Sequence, residues 1–106
     1  MKELETVAVI GAGRMGSTVA QKLPEELKKI IIDTDRNKGS ALAEDVGGTF
    51  SPSLKSAGDA DLVFVVLPAF AVAETVKEVL PFMKSGTVIA NMATNAVLDS
   101  SLQNIR

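Results

Sequence analysis

The sequence predicts an α/β fold, a doubly wound parallel sheet, from three observations. Short apolar runs alternate with segments of helical periodicity along the chain. The first run, Val7 to Ile10, passes directly into Gly11-Ala12-Gly13-Arg14-Met15-Gly16 and then into a helical pattern. The run Leu62 to Leu67 is apolar without a break, as a strand covered by helices on both faces should be.

Each element has its own signal. Strand one is expected over about Thr6 to Ile10. The helix after it carries Met15, Val19 and Leu23 at four-residue spacing, and Pro24 stops it. Strand two is expected from Lys29 to Asp33. A second helix, roughly Lys38 to Val46, buries Leu42 and Val46 and ends on Gly47-Gly48, which supply a left-handed cap. Thr49-Phe50 reads as a short third strand, and Ser53 to Ala57 as a helical turn closed by Gly58. Strand four is Leu62 to Leu67. Val72, Val76, Val79 and Leu80 mark the next helix, while Glu74, Lys77 and Glu78 fall on its wet side. Ser85-Gly86 turns the chain into strand five, Thr87 to Asn91, and Val97 to Ile105 reads as the start of a further helix. The expected strand order is 3-2-1-4-5 with right-handed crossovers. Ligands of such sheets lie beyond the carboxyl ends of the strands, where the order reverses. That rule gathers Gly11 to Gly16, Asp33, Leu67, Pro68 and Asn91 on one rim.

Three glycines in a loop can serve only a turn, but a strand before them, a helix after them and a second strand ending in acid together form the dinucleotide-binding fingerprint. Gly11 permits the tight turn, Gly13 lacks a Cβ that would hold a pyrophosphate away, and Gly16 lets the helix pack closely on the strand. The helix N-terminus offers unpaired N–H groups and the positive end of its dipole. Arg14 and Met15 occupy the variable positions of the loop. Asp33 lies 17 residues beyond Gly16 and is the expected acceptor for the adenosine ribose hydroxyls. Asp35, on the same face by strand alternation, is the competing acid. A 2′-phosphate near this pair would meet like charge, which favours NAD over NADP, with Arg36 as the nearby cation that opposes the preference.

Composition narrows the function further. The 106 residues carry a net charge of -2, so there is no basic stripe for nucleic acid. Neither Cys nor His is present, which removes disulfides, thiolate nucleophiles, imidazole bases and the usual zinc sites. Tyr and Trp are missing too, and the core must be aliphatic. The N-terminus shows no apolar targeting segment and the longest apolar run is far below the ~20 residues of a membrane span, so a cytoplasmic protein without membrane contact is expected.

The segment Val9 to Gly16, with Ala20 and Leu23, resembles the pyrroline-5-carboxylate reductase and F420-dependent NADP oxidoreductase group, and is similar to 6-phosphogluconate, 3-hydroxyisobutyrate and prephenate dehydrogenases. Asp59-Ala60-Asp61 followed by Leu62 to Pro68 resembles their fourth strand, and Lys84-Ser85-Gly86-Thr87-Val88-Ile89 the lead-in to their fifth. The resemblance implies a Rossmann fold over residues 1–106, a nicotinamide dinucleotide (NAD or NADP) as cofactor, a small-molecule substrate of imine, keto acid or hydroxy acid type, and a homo-oligomer. NADP-using members often carry Arg right after the acid, where Thr34 stands here. In those families a sixth strand and a helical domain follow, so a longer parent protein is expected, with its catalytic residues unassigned. The rival expectation is a nucleotide-sensing module, because Ile32-Asp33-Thr34-Asp35 is similar to the regulatory domains of potassium channels; a methyltransferase is a third.

Overall fold

The computed structural model describes residues 4–93. At its centre is β1 (Thr6–Ile10), whose residues from Val7 to Ile10 are all buried. It pairs in parallel with β2 (Lys28–Ile32) on one side and β4 (Leu62–Leu67) on the other. β3 (Thr49–Ser51) and β5 (Val88–Ala93) form the edges, so the five-stranded sheet has the order β3-β2-β1-β4-β5. The predicted fold class and strand order are those observed.

Strand alternation divides the core in two. Val7, Val9, Ile31 and Val66 pack with Ala20 of α1 (Arg14–Lys22) and with Leu42 and Ala43 of α2 (Arg36–Val46). Ala8, Ile10, Ile32, Val63 and Val65 pack with Val79 of α3 (Ala69–Val79) and with Ala57 of a 3-10 turn, Leu54–Asp59. Helices therefore cover both faces of the sheet.

Element boundaries depart from the sequence reading where local hydrogen bonding decides them. Strand β2 stops at Ile32, and Asp33 follows it with its carboxylate turned to backbone N–H groups. Helix α2 begins two residues before Lys38, because the Asp35 side chain caps it by accepting from the Lys38 N–H. Helix α3 ends at Val79 and tightens into a 3-10 turn, Leu80–Phe82, since Pro81 cannot supply an N–H to continue the α-ladder. Strand β5 is shifted, running from Val88 to Ala93, with Leu62 opposite Val88 and Leu67 opposite Ala93. The helix expected over Val97 to Ile105 lies outside the described residues.

At the amino ends of the strands, Asp61 joins three of them. Its Oδ2 accepts from the N–H groups of Glu5 and Thr6 at 2.9 and 3.0 Å. Its Oδ1 pairs with Lys84 Nζ at 2.8 Å. The Lys84 ammonium, followed by the two backbone donors, holds the Asp61 carboxyl well below the usual carboxylate range. This knot stands at the opposite end of the sheet from the glycine loop.

Candidate functional site

The chain leaves β1 through Gly11, whose φ of 112° lies in the left-handed region that favours glycine. A Cβ there would also overlap the carbonyl oxygen of Val66 on the neighbouring strand. Gly13 then caps α1 with its backbone alone, and no side chain accepts from the first turn. A Cβ at Gly16 would overlap the Gly11 carbonyl oxygen, so this glycine is what lets α1 pack against the turn that precedes it. Gly13 differs from both: its φ is -76° and a Cβ would meet nothing within 4 Å. No internal packing demands a glycine at position 13. The space in front of it is open.

These residues face a cleft of about 720 Å³ beyond the carboxyl ends of β1, β2 and β4. Of the residues singled out from sequence, Gly11, Gly13, Arg14, Met15, Gly16, Asp33, Asp35, Leu67 and Pro68 all line it. Met15, expected on the apolar stripe of α1, is 39% exposed and looks into the cleft. Three residues stand elsewhere. Ala12 is buried, and its N–H donates to Asp33 Oδ2. Arg36 is the first residue of α2, outside the lining. Asn91 sits opposite Val65, level with Ile10 at the end of β1, and is not among the residues that line the cleft. The register with β4, which the sequence does not encode locally, sets that position.

Thr18, Lys38 and Val66 line the cleft and were not anticipated. Thr18 and Lys38 follow the loop and the Asp35 cap by one helical turn, so helical geometry carries them back to the same opening. Lys38, rather than Arg36, is therefore the α2 cation at the site. Charges here are mixed: Arg14, Lys38 and the α1 amides against the carboxylates of Asp33 and Asp35.

Asp33 is the most constrained of these groups. Its Oδ2 accepts from Ala12 N–H at 2.7 Å and its Oδ1 from Asp35 N–H at 2.7 Å. Asp35, in contrast, caps α2 through its Oδ1 at 3.1 Å. A second cavity of about 160 Å³ adjoins the cleft and shares Gly11, Asp33 and Leu67 with it; its other walls include Thr34, Pro52, Leu54 and Thr75. Asp33 thus stands between the two spaces.

Comparison with known proteins agrees with this fold. A glycerol-3-phosphate dehydrogenase [NAD(P)+] of Moorella thermoacetica is 30% identical over 114 aligned positions, covering 91% of this chain and 33% of the relative. Prephenate dehydrogenase from A. aeolicus, solved with hydroxyphenyl propionate and NAD+, superposes with a TM-score of 0.78 at 19% identity over 98% of this chain and 39% of that one. An imine reductase from Myxococcus stipitatus, solved with NADP+, gives 0.71 at 21% identity over 93% and 35%. The chain thus spans about a third of the length of these relatives. Among the described residues no helix is long and apolar enough to cross a membrane. The family model for NADP oxidoreductase, coenzyme F420-dependent, matches residues 6–94, and the chain belongs to this family of NAD(P)-dependent oxidoreductase domains.

Proposed function

We propose that this chain is the cofactor-binding domain of an oxidoreductase that moves hydride between a nicotinamide dinucleotide and a small imine, keto acid or hydroxy acid. The observation that carries the reading is the convergence on one cleft of an α1 N-terminus without a side-chain cap, a Gly13 with open space before it, and an oriented Asp33 carboxylate. The pyrophosphate meets the amides at Gly13 and the first turn of α1, flanked by Arg14. The adenosine ribose meets Asp33, and the adenine enters the smaller cavity beside it. Leu67 and Pro68 line the nicotinamide half. NAD is preferred over NADP, because Asp33 is held by two backbone N–H groups and cannot swing away from a 2′-phosphate. Asp35 adds to that repulsion, and Lys38 offsets it in part.

The hydride chemistry belongs to the cofactor, and the chain supplies binding and orientation. With no His, Cys or Tyr among its 106 residues, the chain's own candidates for proton transfer are confined to Lys, Asp and Glu, and none of these is given a catalytic role in this reading. Phe70 is 86% exposed beside the cleft and Val88 is 60% exposed on the edge strand β5. The same reading takes the chain to be part of a homo-oligomer, as the family resemblance implies. The reading places the protein in the cytoplasm, without nucleic acid as a partner. Calorimetric titration with NADH, NADPH, ATP and S-adenosylmethionine tests it: NADH should bind most tightly, and tighter binding of either non-nicotinamide ligand would favour a sensing module or a methyltransferase instead.

A further inference from the structure

Asp33 is engaged at both carboxylate oxygens by the backbone. The two bonds it accepts, from Ala12 and Asp35, are both 2.7 Å. The one to Ala12 matters for the glycine loop. Two consecutive amides tie the turn after β1 to the end of β2: Gly11 N–H donates to the Ile32 carbonyl at 2.8 Å, and Ala12 N–H to Asp33. Past Ala12 comes Gly13, where no side chain caps the helix. The Gly13 amide and the first α1 amides therefore follow directly on an anchor made by a charged side chain just beyond the end of β2, while Gly16 and Ala20 seat the rest of the helix. Hydrogen bonds to an ionised acceptor are short and about twice as strong as neutral ones, so this anchor is stiff.

We propose that Asp33 positions the pyrophosphate-binding loop in addition to meeting the ribose. This rests on the dinucleotide reading of the cleft. Each carboxylate oxygen offers about two lone-pair sites, so one per oxygen remains for a ribose hydroxyl after the backbone bonds are made. A single side chain then sets the loop that grips the phosphates and reads the sugar next to them. Recognition at the two places is coupled without any movement, because the loop is already in its binding geometry.

A chemical double-mutant cycle separates this role from ribose contact alone. The partners are the 106-residue chain and its Asp33→Asn variant, each titrated with NADH and with the NADH analogue lacking the 2′- and 3′-hydroxyls of the adenosine ribose. Asn keeps the shape but puts an NH₂ group against one of the two N–H donors. If Asp33 also positions the loop, Asp33→Asn weakens the dideoxy analogue by about tenfold, the lower end of the range for a lost charge-assisted bond. Equal affinity of the two proteins for the analogue, within twofold, overturns the proposal while leaving the dinucleotide reading intact. Failure of the wild-type chain to bind NADH overturns the dinucleotide reading and the positioning role with it. Amide exchange in the ligand-free proteins gives a second readout: Ala12 and Asp35 should exchange at least tenfold faster in the variant while Val7 to Ile10 stay protected. Unchanged rates at Ala12 and Asp35 refute the anchor directly. Should Asp33→Asn lose protection throughout β1, Asp33→Glu takes its place. Its charge is kept but its extra methylene cannot preserve both short bonds, and wild-type affinity for the analogue in that variant refutes the proposal equally.

Discussion

Replacing Gly13 with alanine should remove dinucleotide binding and leave the fold in place. Two small stability terms act in opposite directions. At φ -76° and ψ -163° an alanine is unstrained, and a Cβ meets nothing within 4 Å. The loss of unfolded-state freedom then stabilises the variant by ~0.4–1 kcal/mol. Position 13 is also the N-cap of α1, where Ala is poorer than Gly by an amount on the order of 0.5–1 kcal/mol. The two nearly cancel, so the melting temperature should stay within about 5 °C of wild type. Binding has no such compensation. In the proposed binding mode the methyl projects into the space that the phosphates need, and losing even one charge-assisted amide–phosphate bond costs ~1.5–3 kcal/mol, roughly tenfold to a hundredfold in Kd. Thermal melts paired with NADH titrations give both numbers from one preparation. Gly16→Ala is the contrasting control: its Cβ overlaps the Gly11 carbonyl, and it should lose the fold before it loses the ligand. NADH affinity within threefold of wild type in a folded Gly13→Ala protein would refute the reasoning and reduce the loop to a turn.

Three further perturbations probe other parts of the structure. Asp33→Ala should weaken NADH by roughly tenfold to a hundredfold and NADPH by less, whereas Asp35→Ala should mainly lower stability by ~1 kcal/mol through the lost cap; an NADH to NADPH affinity ratio that responds to Asp35 and not to Asp33 would reverse the roles given to the two acids. The Asp61 carboxyl is depressed by Lys84 and by the Glu5 and Thr6 amides, so its contribution is fully present above the ordinary carboxyl value of about 3.9 and is lost as the pH falls below it toward the folded-state value. Denaturant unfolding should show Asp61→Asn less stable than wild type at pH 7 and the gap closing toward pH 2; parallel pH profiles would assign the acid sensitivity to other groups. The 106-residue chain should bind NADH without oxidising it in the presence of imines, keto acids or hydroxy acids, and turnover clearly above a protein-free control would show that the chain holds its own proton donor.

Periodicity and glycine spacing in the sequence determined most of the frame. Apolar runs of two-sided character can be satisfied only between helices, so the parallel sheet and its order follow from the alternation of elements. The three loop glycines were legible from their spacing after β1, and two of them, Gly11 and Gly16, prove to have a backbone oxygen where a Cβ would stand, whereas nothing within the fold demands the third. What stayed hidden depends on contacts between segments distant in the chain. Asn91 was expected as the end of strand five, but the pairing of β5 with β4 carries that strand on to Ala93, and Asn91 is not among the residues lining the cleft. Asp33 and Asp35 look equivalent in a row of turn-forming residues; tertiary structure separates them, directing one carboxylate to Ala12, 21 residues away, and the other to the helix it begins. Lys38 lines the cleft from the first turn of α2, the turn that the Asp35 side chain caps. Sequence determines which faces must be buried, since burial is a property of pattern. Register and hydrogen-bond partnership are decided by geometry between strands, and in this protein they single out the acid that anchors the loop.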